Sequence, residues 1–158
     1  MAIWQYTFYV LPKEAVTDIT PSLVFLKDDD GFDDSPYWKY VAVEPSFFEP
    51  VKEFLPLGNS WSKDLILYGD VDSNCLEVFL EESKLVESVS IRIDFRSNYE
   101  ALLDKLLLFL MKNNMMVLGE DLNPVKLNEY DFNMKIKGSE QYSKYSMIAR
   151  AINNDKNI

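Results

Sequence analysis

Residues 88–95 alternate strictly between apolar and polar side chains, with the apolar ones at Val89, Ile91, Ile93 and Phe95. A period of two predicts a β-strand with one buried face. Ser97 and Glu100 then match the spacing of a helix capping box, and a leucine-rich stripe follows at helical spacing. This order predicts a long helix, residues 97–113, which packs its apolar face against a sheet.

Other segments supply further strands for the same sheet. Residues 4–10 alternate before Pro12 and predict an edge or half-buried strand, and a second strand is predicted over 37–43. Strands over 65–68 and 75–81 precede the one over 88–95 with short connections, a pattern typical of an antiparallel meander. A short strand over 115–118 completes the predicted sheet.

The remaining segments predict short helices and loops. A short helix is expected over 44–55, an irregular stretch with an extended piece near 133–137 follows the last strand, and Ser139 caps a C-terminal helix over 139–153. We expect residues 1–158 to form one α+β domain with a frayed polar tail at 153–158. The predicted core consists of Leu76, Val78, Leu80, Ile91, Ile93, Leu103, Leu106, Leu107 and Leu110.

The chain has no histidine and one cysteine, Cys75, among 158 residues. Without an imidazole there is no Ser-His-Asp or Cys-His catalytic arrangement, and zinc sites built from His and Cys lack ligands. A disulfide within the chain is impossible. No basic residue is near Cys75 in sequence, which favours a structural thiol over a reactive one. The five glycines are scattered and form no phosphate-binding loop.

The formal net charge is −10, and the acidity is concentrated in the first three quarters of the chain. Residues 1–120 hold 21 acids and 10 bases, whereas residues 121–158 hold 5 acids and 6 bases. Such a chain binds the phosphate backbone of nucleic acids poorly, so we expect no nucleic-acid partner. A strongly negative body is instead steered towards basic proteins by long-range attraction.

No segment predicts a membrane span or an export signal. The longest apolar run, residues 106–111, is far shorter than the roughly 20 residues that a spanning helix needs. The N-terminal residues have no basic region and alternate in polarity, unlike a signal peptide. With a single thiol, these features favour a cytoplasmic protein without membrane partners.

The densest acidic segment is predicted to be a solvated loop and a candidate contact surface. It contains Asp28, Asp29, Asp30, Asp33 and Asp34 around a glycine, and the aromatic residues Tyr37 and Trp38 follow directly. Aromatic residues beside charges are enriched at protein interfaces. A divalent cation site and a plain solvated loop are the alternatives. Trp61, Asp70 and Asp72 complete the set of candidate partner-binding residues.

The segment Asp70-Val71-Asp72-Ser73-Asn74 resembles the start of a calcium-binding loop, with Glu81 at the position of the bidentate glutamate. The sixth position requires glycine for a sharp turn, but here it is Cys75, and the following residues alternate as a strand. We interpret the segment as a turn between strands.

We therefore predict that the protein requires no metal ion and no cofactor. Thermal unfolding curves recorded with and without a chelator should superimpose. A fall of several degrees in melting temperature on chelation would contradict this expectation.

The stretch from Asn74 to Leu118 has a recognisable plan. A hairpin leads into Ser90-Ile91-Arg92-Ile93-Asp94-Phe95-Arg96, a leucine-rich helix and a short strand follow, and a Ser-opened helix ends the chain. This plan resembles the small acidic α+β immunity proteins that accompany bacterial polymorphic and contact-dependent toxins. The resemblance implies a non-catalytic protein that neutralises a basic toxin by binding it, and it transfers no residue roles.

Two other classes of function remain open from the sequence. One is a small enzyme that uses carboxylates, with or without a metal, although the commonest acid–base residue, histidine, is missing. The other is a regulatory module that binds a small ligand in a cleft between sheet and helix. Turnover by the purified protein would distinguish the enzyme, and gene neighbourhood would distinguish the toxin antagonist.

Overall fold

The computed structural model describes residues 2–156 as an α+β fold. Its strands are β1 (Gln5–Pro12), β2 (Leu65–Gly69), β3 (Cys75–Leu80), β4 (Val86–Asp94), β5 (Met115–Leu118) and β6 (Pro124–Val125). Its helices are α1 (Lys13–Ile19), α2 (Ser35–Val41), α3 (Glu100–Lys112), α4 (Glu129–Lys137) and α5 (Glu140–Lys156), and a 3₁₀ segment spans Pro45–Glu53. No helix within the described residues is both long and apolar enough to cross a membrane.

The six strands form one antiparallel sheet in the order β2-β3-β4-β1-β5-β6. The predicted α+β class and the meander over residues 65–95 are confirmed. The N-terminal strand, however, is not at an edge. It pairs with β4 through Gln5–Tyr9 and with β5 through Tyr9–Pro12, so it lies in the middle of the sheet.

One face of the sheet carries the main core. Alternate residues of β1, β3 and β4, such as Phe8, Leu76 and Ile91, pack there with the leucines of α3 and with Phe132 and Ile136 of α4. All the predicted core residues are buried except Leu80, which is half-buried. The alternation of the strands and the leucine stripe of the helix therefore correctly predicted this layer.

The opposite face is covered only in part. A smaller apolar cluster sits at the end where β1 pairs with β5, and it contains Leu11, Ala15, Val16, Phe25, Tyr37, Leu118 and Leu122. Beyond this cluster, polar side chains occupy the same face of β1 and β4, at Thr7, Ser88, Ser90 and Arg92. This polar part of the sheet surface forms the floor of the site described below.

Helix α2 replaces the strand predicted over residues 37–43. Asp33 accepts hydrogen bonds from the Ser35 backbone N–H (3.0 Å) and hydroxyl (2.7 Å), which holds the entry to the helix. Pro36 stands in the first turn, where its missing N–H removes no helical hydrogen bond. The aromatic and β-branched composition suggested a strand, but packing on two sides selected the helix.

Helix α2 lies at the point where the pairing of β1 with β4 ends and its pairing with β5, on its other side, begins. There, Trp38 Nε1 donates to the Val10 carbonyl (3.1 Å), and the Asp34 carboxylate accepts from the Val89 N–H (3.2 Å). Trp38 belongs to the main core cluster and Tyr37 to the smaller one. Helix α2 thus ties the two strands together at the point where their own pairing ends.

Other differences concern helix boundaries. Helix α3 begins at Glu100 after Tyr99, and the Ser97 hydroxyl donates to the Asp94 carbonyl (2.7 Å), so the predicted capping box does not form. Residues predicted as extended near 133–137 belong to α4, whose first turn is capped by Asn128 through the Asp131 N–H (2.8 Å).

The C-terminal helix starts as predicted and runs further. The Ser139 hydroxyl accepts from the Tyr142 N–H (3.2 Å), as a residue that caps a helix does. Helix α5 continues to Lys156, so positions 153–156 of the predicted frayed tail are helical. The last two positions of that tail lie outside the described residues.

Candidate functional site

A polar groove lies on the partly covered face of the sheet and is the candidate site. We call it the sheet groove. Its volume is 470 Å³, within the size range typical of ligand sites. Strand residues form its floor, the loop before α2 and the residue Glu120 after β5 form its sides, and its lining comprises Thr7, Tyr9, Lys27, Phe32, Asp34, Phe79, Ser88, Ser90, Arg92 and Glu120.

Arg92 in the groove is neutralised by a buried acid on the neighbouring strand. Arg92 Nε lies 2.9 Å from Glu77 Oε1, and the Glu77 side chain is 1% exposed. The pair is ionic and not an aligned hydrogen bond, because Glu77 Oε1 accepts none from the described residues. Burial raises the pKa of Glu77, and the charge of Arg92 opposes that rise. The pair joins the neighbouring strands β3 and β4.

Asp34 forms one side of the groove and is nearly buried. Its carboxylate accepts a hydrogen bond from the Val89 N–H, on the side of β4 that β1 has left. Burial raises the pKa of Asp34 to about 6, although hydrogen bonds from Ser88 and Val89 lower it. The Asp34 carboxylate therefore accepts a hydrogen bond that the carbonyl of a neighbouring strand would otherwise accept, and it lines the groove while doing so.

Glu120 performs the same task on the other side of β1. Its carboxylate accepts from the Thr7 N–H (3.0 Å), just beyond the point where pairing between β1 and β5 ends. It also accepts from Gln141 Nε2 (3.0 and 2.9 Å), and its own N–H donates to the Tyr6 hydroxyl (3.0 Å). The backbone N–H groups of Thr7 and Val89 thus each donate to a carboxylate that lines the groove.

Aromatic rings complete the groove. Tyr9 and Phe32 pack edge to face with their centroids 5.2 Å apart, and Phe79 lies on the other flank. The exposed Trp61 ring stands 6.2 Å from Phe79. Burial raises the pKa of Tyr9, and the negative charges of Glu120 and Asp34 add to the rise. Both carboxylates therefore act on the same region of the groove.

The predicted acidic surface separates into exposed and buried members. Asp28, Asp29, Asp30 and Asp33 are exposed. Asp28 and Gly31 form two backbone hydrogen bonds with each other (3.0 and 3.1 Å), which close a tight turn. Asp34 is buried, which corrects the expectation that the whole segment is solvated. Lys27 and Phe32 line the groove together with Asp34, so the loop 27–34 borders it.

Tyr37 and Trp38 do not lie on the surface. Their side chains are 7% and 0% exposed and belong to the two core clusters. The expectation that these residues contact a partner is corrected by this burial, because a helical conformation turns both inwards. Trp61, in contrast, is 72% exposed.

Asp70 and Asp72 lie apart from the acidic loop. They occupy the turn between β2 and β3, where Asp70 Oδ1 accepts from the Asp72 N–H (2.9 Å). The Asp72 carbonyl accepts from Trp4 Nε1 (3.0 Å). This turn packs near Asp94, about 17 Å along β4 from Val89, where Asp34 binds. The segment is a plain turn, as predicted.

Most residues that line the groove, including Thr7, Ser88, Ser90 and Glu120, are not among the candidates predicted from the sequence. One signal was available: the alternation of β4 places Ser88, Ser90, Arg92 and Asp94 on a polar face that an ordinary two-layer fold exposes. Glu120 had no signal, because its approach to Thr7 depends on how β5 pairs with β1.

Side chains with metal-binding chemistry are dispersed. Within residues 2–156, no three side chains of His, Cys, Asp or Glu come together as a metal-binding group. Cys75 is buried, and burial raises the pKa of its thiol to about 12, which disfavours the reactive thiolate.

Comparisons with known proteins yield no relative. No protein-family model matches the chain, and no similar protein was found among the curated proteins or the solved structures compared with it.

Proposed function

We propose that the protein is a non-catalytic binding protein that neutralises a basic protein partner, as a toxin immunity protein does. The observation that carries this proposal is the loop 27–34, which presents four exposed aspartates at the border of an open groove. Negative charge beside an accessible concave surface favours a positively charged protein, and it accelerates encounter with that protein.

The composition of the groove supports recognition and not turnover. Its two carboxylates are held by backbone N–H groups at Thr7 and Val89, and its arginine is held by Glu77. Groups used in this way position the strands. The resemblance to immunity proteins points to the same class of function, in which one surface occludes another without chemistry.

A carboxylate-dependent enzyme is the second candidate, and Asp34 is the observation that favours it. A carboxyl with a raised pKa in a cavity is a common feature of catalytic sites. The hydrogen bonds of Asp34 to Ser88 and Val89 already explain its position structurally. Turnover of a substrate by the purified protein alone would establish this second candidate and overturn the first.

Association with the partner should depend on salt and on the exposed aspartates. The test begins with affinity purification of the partner from the native host, followed by association rates measured at several salt concentrations. We expect association to slow as salt rises, with a smaller change in dissociation, because exposed charges are screened over about 8 Å at physiological ionic strength. Replacing Asp28, Asp29, Asp30 and Asp33 with Asn should slow association about tenfold or more at low salt.

A control variant that loses four acidic charges outside the loop 27–34 distinguishes the effect of the loop from the effect of total net charge. Replacing Glu49, Glu53 and Glu100 with Gln and Asp104 with Asn removes four exposed charges from the 3₁₀ segment and α3. We expect this variant to slow association much less than the loop variant. Equal effects would show that the loop is not the contact surface. An acidic partner whose binding ignores salt would contradict the electrostatic mechanism.

A further inference from the structure

We propose that the sheet groove receives an arginine side chain of the basic partner, with the guanidinium between Asp34 and Glu120 and against the aromatic walls. This inference rests on the proposed function, because it names the site through which the protein would recognise that partner.

The two carboxylates of the groove have hydrogen bonds but no cationic partner. Neither Asp34 nor Glu120 takes part in an ion pair with a described residue. Their hydrogen-bond donors are Val89, Thr7, Ser88 and Gln141, all of which are neutral. Hydrogen bonds from neutral groups leave the negative charge of each carboxylate in place, so a cation entering the groove is attracted by both.

The cations already in the groove do not neutralise these acids. Arg92 is paired with Glu77, which leaves that pair neutral as a whole. Lys27 lines the groove, but its side chain forms no ion pair within residues 2–156 and is exposed. With the Arg92–Glu77 pair counted as neutral, Lys27, Asp34 and Glu120 leave one excess negative charge when both carboxylates are ionised, in a chain of net charge −10. The electrostatics therefore favour a cation over an anion as the inserted group.

The walls of the groove suit a planar cation. The rings of Tyr9, Phe32 and Phe79 line the cavity that contains both carboxylates. Aromatic faces attract cations, and a guanidinium combines stacking on a ring with paired hydrogen bonds to a carboxylate, whereas an ammonium offers only a compact charge. Arginine is therefore the expected residue, and lysine is the alternative that an experiment must distinguish.

The test titrates the whole protein with a single residue in place of the unidentified partner. The probe is Nα-acetyl-arginine methylamide, and the control is the citrulline compound, which has the same shape without the charge. Backbone amide shifts are followed by NMR at low salt. We expect the arginine compound to shift the amides at Tyr9, Ser90, Arg92 and Glu120, and the citrulline compound to leave them unchanged. The corresponding lysine compound should bind more weakly.

Variants then assign the binding to the groove carboxylates. Glu120→Gln keeps an oxygen to accept from the Thr7 N–H but removes the charge, and Asp34→Asn does the same at Val89. We expect each to weaken the arginine compound by about three- to tenfold. Asp104→Asn, at an exposed position on α3 away from the groove, is the matched control and should leave the affinity unchanged.

Two results would overturn the inference. Equal shifts with the arginine and citrulline compounds, measured on the unaltered protein, would show that no cation is recognised, even if a groove variant fails to fold. Equal weakening by Glu120→Gln and Asp104→Asn would show that only total charge matters.

If the partner still binds and the loop variant slows its association, the proposed function stands without the groove. If arginine binds but no protein partner exists, the groove is a cation site and the proposed function fails.

Discussion

Replacing Trp38 with alanine is expected to lower the free energy of unfolding by about 3–5 kcal/mol. Trp38 has no exposed surface, packs 5.8 Å from the ring of Phe48, and donates its indole N–H to the Val10 carbonyl. The substitution leaves a cavity in the main core and an unpaired carbonyl at the point where β1 leaves β4. Urea unfolding followed by circular dichroism measures the loss.

Trp61→Ala is the matched control, because it removes the same side chain from an exposed position. We expect this variant to stay within about 0.5 kcal/mol of the original protein. A milder variant, Trp38→Phe, keeps most of the ring and loses the N–H, so it should fall between the two. If Trp38→Ala and Trp61→Ala had equal effects, the placement of α2 between β1 and β4 would be wrong.

Replacing Asp34 with asparagine is expected to remove a pH dependence of stability. Burial raises the pKa of Asp34 from 3.8 to about 6. Between these values the folded protein binds more protons at this site than the unfolded chain, so the stability falls as pH rises. Ionisation of Asp34 lowers the free energy of unfolding by about 3 kcal/mol in total. Nearly all of this decrease is present above pH 6, and little of it remains below pH 4.

The Asp34→Asn variant keeps an acceptor for the Val89 N–H and carries no charge at any pH. Relative to the original protein, it should therefore gain stability between pH 4 and pH 7. Urea unfolding at pH 4, 5, 6 and 7.5 measures the difference between the two proteins, which cancels the titration of the other acids. Asp104→Asn serves as the control, since its site is exposed. Parallel profiles for Asp34→Asn and the original protein would contradict the assignment.

Strands β1 to β5 and the long helix α3 could be predicted because their signals are local. In β4, apolar and polar residues alternate with the period of an extended chain, and the leucines of α3 repeat with the period of a helix. The acidic character of residues 1–120 is likewise a property of composition. These features depend only on neighbouring residues, so they determine the α+β class and the main core without reference to the rest of the chain.

Two helices had local signals that the strand-like composition outweighed. Asp33-Asp34-Ser35-Pro36 is typical of a helix start, and so is Asn128 followed three residues later by Asp131. The aromatic and β-branched residues after Pro36 indicated a strand instead. Packing decided the matter: helix α2 buries Trp38 in the main core and Tyr37 in the smaller cluster.

The sheet groove itself was decided only by the tertiary structure. Its two carboxylates, Asp34 and Glu120, are 86 positions apart in the chain. They line the same groove because the pairing of β1 with β4 ends at Tyr9, where its pairing with β5 begins. Each carboxylate then takes a backbone N–H that strand pairing leaves open, at Val89 and at Thr7. Strand order is set by which surfaces bury the most apolar area together, a sum over the whole chain that no single segment contains.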